Sequence, residues 1–417
     1  VLDSRGNPTV EVEVQCHDGA VGAAIVPSGA STGKFEAREL RDGDPQRYDG
    51  RGVLTAVANI ERTIAPAVIG LDPADQASVD ARLLELDASP QKTTLGGNAL
   101  LGVSLAAAHA AAASRRVPLY RHLNDLWNSG VQPQGRRAQP HMPLPMVNMI
   151  SGGLHAGGNL DFQDFLILPH GAASYRVGLE WIVRVYHRLG DLLIAAGYEG
   201  RLVGDEGGFG PRLASNAEAA EFVVRAIEAA GLTPGEQVSL AIDVASTHFY
   251  DGQHYRLKAT GNAQLTSGEM IDQLEHLVDR FPIVSIEDGL AEDDWSGWQQ
   301  LAARLGQRVR LVGDDLLVTN AERLQHAIEQ KAANSVLIKV NQIGTLTETF
   351  DTMRLAAAAG FTRIVSARSG ETEDSTIADL AVGAAAEQIK IGSIVRSERL
   401  AKYNRLLRIE EELHSAQ

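Results

Sequence analysis

Six short apolar runs in the second half of the chain each end in a charged residue: SLAID at Asp243, IVSIE at Glu287, RLVGD at Asp314, SVLIK at Lys339, RIVSAR at Arg368 and QIK at Lys390. The first three are carboxylates. Brought together they repel one another unless a hard divalent cation lies between them, and an all-oxygen donor set suits Mg2+. Lys339 and Lys390 end two of the other runs. Buried beside a dication and a second lysine, an ammonium is disfavoured, which leaves a usable neutral amine and hence a general base. A salt bridge to one of the carboxylates is the alternative for either lysine. Arg368-Ser369-Gly370 offers a phosphate a guanidinium fork, a hydroxyl and a flexible backbone. In Gly204-Asp205-Glu206-Gly207-Gly208 two acids share a tight turn, and one of them held near the dication would serve as general acid. Asp288 and Asp315, next to two of the run ends, read as orienting or capping residues. Two Gly-rich segments, Ser28 to Gly33 and Gly152 to Gly158 with His155, suit mobile covers.

Such chemistry needs elements that each deliver one charged residue to a common place. Between the run ends lies enough chain for a loop and an amphipathic helix, so each run reads as the strand of one βα unit. The charges then fall at the carboxyl ends of the strands, where closed parallel barrels keep their chemistry. An open doubly wound sheet is the competing fold, but no GxGxxG follows a strand. Upstream, TVEVEVQ from Thr9 to Gln15 alternates, and Ala20 to Val26 forms a second β-like run beyond His17-Asp18-Gly19, a hairpin signature. From Gly52 to Ala113 the period is helical. The expected organisation is a small α+β domain over residues 1–127, a Pro- and Gly-bearing linker over 128–142, and an α/β barrel over 143–417.

At 417 residues and 44% hydrophobic content the chain is long enough for a large core. Its formal charge of −15 leaves no basic surface to hold a nucleic-acid backbone. The single cysteine, Cys16, has no disulfide partner in the chain, which fits a reducing, cytoplasmic compartment. No apolar run approaches the roughly 18 residues of a membrane span. The nearest, Val103 to Ala113, reads as a buried helix. The chain starts at Val1 in mid-strand without an initiator Met, so further residues are expected upstream.

The motifs DSRGNPTVEVEV, SGASTG, LGVSLA, HAGG, GDEGG, SIEDG, GDDLLVTN, LIKVNQIGTLTET, SGETED and RSERLAKYNRLLRIEEEL run from one end of the chain to the other, and in order and spacing the sequence resembles enolase, phosphopyruvate hydratase. The resemblance implies a small α+β N-terminal domain followed by an eight-fold α/β barrel whose first strands are irregular. It implies dehydration of 2-phosphoglycerate to phosphoenolpyruvate with Mg2+, and a homodimer, possibly assembled further. Residue by residue, Asp243, Glu287 and Asp314 match the ligands of the first Mg2+, and Ser31 matches a serine that helps bind a second. Lys339 matches the base at C2, and Glu206 the acid that helps expel the C3 hydroxyl. Gln163 and Lys390 match substrate-contacting positions, Arg368 and Ser369 the phosphate grip, and His155 the histidine of the second cover.

Three departures all fall on the substrate and leaving-group side. SHRSGETED is here SARSGETED, so Ala367 stands where a histidine is expected. QEF is here QDF, so Asp164 replaces a substrate-side glutamate. NGGSHAGG is here SGGLHAGG, changed at Ser151 and Leu154. They open a second reading, a paralogue respecialised for a related phosphonate or carboxyphosphonate acid. A third reading, a non-catalytic binding protein, fits poorly with an intact cluster of like charges that an idle site does not need.

Overall fold

The structure is a computed structural model that describes residues 1–30, 33–130, 137–259 and 261–415. Near the N-terminus, β1 (Glu11–Gln15) and β2 (Val21–Ile25) pair antiparallel with Glu11 opposite Ile25. The hairpin lies on the helix Gly97–Ser114, whose small side chains let it be buried on almost every face. Contact there is so close that a Cβ on Gly22 would sit 2.0 Å from the Ala110 nitrogen, so only glycine fits. The helix Leu119–Ser129 then reaches into the segment expected to be a linker. Residues 137–143 have no regular structure, and 131–136 lie outside the described residues.

The strands β3 (Leu144–Ser151), β4 (Asp164–Leu168) and β5 (Ser239–Asp243) open the barrel. A small antiparallel hairpin of β6 (Tyr255–Leu257) and β7 (Ala263–Leu265) stands outside it. Then come β8 (Ile283–Glu287), β9 (Arg310–Gly313), β10 (Ser335–Ile338), β11 (Thr362–Ser366) and β12 (Gln388–Gly392). The sheet closes in the order β10-β11-β12-β3-β4-β5-β8-β9. It is a closed barrel, as expected, but not an all-parallel one: β4 runs antiparallel to both β3 and β5. Ser174, Ser215, Asn320 and Thr345 each cap a following helix by accepting a backbone N–H, which sets where the outer helices begin.

Two apolar cores result. The large one fills the space between strands and helices. The small one, Met146, Leu166, Leu168, Ala241, Val312, Leu337 and Ile364, is made of the alternate strand residues that face the barrel axis. Among the described residues no helix is long and apolar enough to cross a membrane.

Candidate active site

Side chains on a strand change face at every residue, so a residue two places from an axis-facing one also faces the axis. Asp243 follows Ala241 by two, Asp314 follows Val312, and Lys339 follows Leu337. The charged residues are therefore the next layer above the small inner core. Asp164 precedes Leu166 by two, and because β4 is reversed its first residue reaches the same end of the barrel. The register places Ser151 opposite Asp164, Asp164 opposite Asp243, and Asp243 opposite Glu287.

Within this layer Lys390 Nζ donates to Asp243 Oδ2 at 2.7 Å and to both oxygens of Glu287 at 2.8 and 2.7 Å. Lys339 Nζ donates to Asp314 Oδ2 at 2.5 Å. Gln163 Nε2 reaches Asp243 Oδ2 at 3.3 Å. Glu287 is pushed well above the usual carboxylate range by burial and by Asp243, with Lys390 opposing. Burial alone would favour neutral amines, but Asp314 at Lys339 and the Asp243–Glu287 pair at Lys390 outweigh it and raise both lysines. That is opposite to the direction expected from burial and a second cation, because the carboxylates face the lysines directly.

Beside Asp243, and across the barrel from Lys339, stand His155, Asp164 and Glu206. His155 Nδ1 lies 3.0 Å from Asp164 Oδ2, and His155 Nε2 lies 4.0 Å from Glu206 Oε1. Asp164 Oδ1 also accepts from Asn148 Nδ2 and, at 3.2 Å, from Ser151 Oγ. Burial works against the imidazolium, yet Asp164 and Glu206 raise His155 to about 9. Burial raises Asp164, whereas Glu206 ends lower than usual because His155, Arg399 and the lysines outweigh its burial. A general acid needs its proton near neutrality, so on this wall the proton resides on His155 beside Glu206. We expect the His155 imidazole to titrate with a midpoint near 9, followed by NMR of its ring protons. A folded value above the 6.5 of a free imidazole stabilises the fold fully below that pH, and the contribution fades as pH rises through about 9. A midpoint near 6.5 would mean that the two carboxylates do not flank the ring.

Arg368, buried, donates from Nη1 to Glu36 Oε2 and to Asn341 Oδ1, both at 2.9 Å. Ser369 Oγ accepts the Ala30 N–H at 2.8 Å, and Ser28 and Gly370 exchange backbone hydrogen bonds of 2.8 Å, so the N-terminal segment is stitched to the barrel mouth. Asp288 accepts the N–H groups of Asp314 and Asp315 at 2.9 and 2.8 Å, the orienting role expected for it. Ser31 lies outside the described residues. Ala367 is buried, and its N–H donates to the Lys390 carbonyl at 2.9 Å.

Among the described residues, the tightest groups able to hold a metal ion are His155–Asp164–Glu206 and Asp288–Asp314–Asp315. In the set expected from the sequence, Asp243 and Glu287 share Lys390 while Asp314 holds Lys339. Sequence reasoning missed Asn148, Glu36, Gln342 and His248. The last sits in the turn Ser246–Phe249 just beyond Asp243, where burial lowers its imidazole despite the pull of Asp243. Its nearness in sequence to a strand-end aspartate was the available signal. A family model described as the enolase C-terminal TIM barrel domain matches residues 139–417, and one described as the enolase N-terminal domain matches residues 1–123.

Proposed function

The chain belongs to the enolase family, and on that premise we propose that it is a Mg2+-dependent hydro-lyase that converts 2-phosphoglycerate to phosphoenolpyruvate. The observation that carries this reading is the convergence of three carboxylates and two lysines on one barrel mouth, facing the His155–Glu206 wall. The donor set suits the ion. Asp243, Glu287 and Asp314 offer only hard carboxylate oxygens, and the repulsion from Asp243 and Asp314, which adds to burial in raising Glu287, is what a dication relieves. These three would hold Mg2+, whose charge, when bound, stabilises the negative charge that gathers on the substrate carboxylate. Lys339 Nζ takes the C2 proton, after which Glu206, with the His155 proton beside it, assists departure of the C3 hydroxyl. Arg368 and Ser369 grip the phosphate, and Gln163 and Lys390 orient the substrate carboxylate end. Formation of enol phosphate from 2-phosphoglycerate, abolished by chelator, tests the proposal. Absence of turnover in the presence of Mg2+ would sink it.

One observation favours the second reading, a paralogue for a phosphonate or carboxyphosphonate acid. Asp164 is drawn back by Asn148, Ser151 and His155, and Ala367 presents no donor, so the leaving-group side is altered on two elements at once. If the protein is a weakened 2-phosphoglycerate dehydratase, Ala367→His with Asp164→Glu should raise kcat on that substrate at least about tenfold, or ~1.4 kcal/mol. If the pocket is remodelled, the larger side chains should instead obstruct the native substrate. No gain on 2-phosphoglycerate together with lost turnover of a phosphonate analogue decides for the paralogue.

A further inference from the structure

Glu36 belongs to the N-terminal half of the chain yet is buried at the barrel mouth, and its carboxylate gathers donors from three segments. Oε2 accepts from Arg368 Nη1 at 2.9 Å. Oε1 accepts from the Gly33 N–H at 2.9 Å and from Gln342 Nε2 at 3.3 Å. Gln342 also donates from Nε2 to Asp314 Oδ1 at 2.8 Å, while its Oε1 accepts from Thr319 Oγ1 at 2.7 Å, which fixes the orientation of the amide. The Gln342 carbonyl accepts the Ala37 N–H at 2.7 Å, tying the two segments together by backbone as well. The other oxygen of Asp314 holds Lys339. Direct contacts therefore run from Arg368 through Glu36, Gln342 and Asp314 to Lys339.

We propose that Glu36 and Gln342 are positioning residues that hold the guanidinium of Arg368 and the carboxylate of Asp314 in one frame, so that anion binding at the first and cation binding at the second depend on each other. The proposal rests on reading the mouth as the site of a phosphorylated acid. A planar guanidinium grips phosphate well only when its plane is fixed. A carboxylate has acceptors alone and can take donors on both oxygens, whereas an amide must turn a donor toward one of them. Reciprocity follows from linkage: whatever Gln342 transmits from the cation to the anion it transmits equally in return.

The test is calorimetric titration of the chain with inorganic phosphate at saturating Mg2+, and with Mg2+ alone. If Glu36 only neutralised Arg368, Glu36→Gln would leave more positive potential and bind phosphate more tightly. As a positioning residue its loss should instead raise the phosphate Kd roughly tenfold or more. KM for the phosphorylated substrate should rise with it, more than kcat falls, and Glu36→Asp should recover part of the loss. Gln342→Met keeps length and packing but loses the donor, and should weaken Mg2+ by about tenfold, a usual effect of removing a group that orients a ligand. Melting curves establish that the variants fold, and if Glu36→Gln does not, Glu36→Asp carries the comparison with a smaller rise in phosphate Kd. Tighter phosphate binding by Glu36→Gln, unchanged Mg2+ affinity in Gln342→Met, or no uptake of phosphate by the unmodified chain overturns the proposal. Binding is read without turnover. An unmodified chain inert toward 2-phosphoglycerate but showing these shifts would sink the functional reading alone.

Discussion

Lys339→Ala should abolish exchange of the C2 hydrogen of 2-phosphoglycerate with solvent deuterium, while Glu206→Gln retains it. Lys339 directly follows β10 and faces the axis above Leu337, with its Nζ 2.5 Å from Asp314 Oδ2. That carboxylate is why the lysine is raised despite its burial. A cation sharing Asp314 would draw off the negative charge that favours the ammonium and so move Lys339 toward the neutral amine that a base requires. Positioned general bases contribute on the order of 10²- to 10⁴-fold, and no second amine sits at the end of β10, so the expected loss is of that size. Glu206 lies beside His155, and under the proposed mechanism it would serve only the later C–O cleavage, which would separate the two steps. NMR of the recovered substrate in deuterium oxide reads the result. Exchange that persists in Lys339→Ala would place the base elsewhere, with Lys390 the first residue to examine.

Glu287→Gln should bind Mg2+ at least about thirty-fold more weakly, a loss of ~2 kcal/mol. Two unit charges about 4 Å apart at an effective dielectric near 20 interact by roughly 4 kcal/mol, and relief of the desolvation cost returns a good part of that. The variant should still fold. Lys390 loses Glu287 but keeps Asp243 at 2.7 Å, so no buried cation is stranded, and the burial cost and repulsion that together raise Glu287 disappear. Calorimetry on the protein without substrate measures the affinity directly. Unchanged Mg2+ binding would remove Glu287 from the ligand set and turn attention to Asp288–Asp314–Asp315, a tighter cluster in this conformation.

What the chain carries in one dimension is the set of strand ends. SLAID, IVSIE, RLVGD, SVLIK, RIVSAR and QIK all lie on barrel strands or run just past them, because a parallel strand under helices is an apolar run and its functional residue sits where the run stops. The β1–β2 hairpin was legible for the same local reason, alternation broken by a turn. Neither β3 nor β4 could be found that way. Pro145 near the start of β3 argues against a central strand, yet it pairs with β12 at a level where β4 has not yet joined, so its missing N–H leaves no bond unmade on that side. β4 runs backward, so its mouth residue, Asp164, begins the apolar run instead of ending it, and a search for charges at run ends passes over it.

The charge states and the partners were decided only in three dimensions. A sequence shows that Lys339 and Lys390 each end an apolar run, but not that each points at a carboxylate across the barrel, and that geometry turns the expected depression of their pKa values into a rise. Glu36 and Arg368 are far apart in the chain, on opposite sides of the domain boundary. Periodicity reports which face a side chain occupies, not what waits on the other side. Their ion pair, and the Gln342 amide that joins it to Asp314, exist because barrel closure and docking of the N-terminal segment that follows β2 bring together surfaces that no local pattern relates.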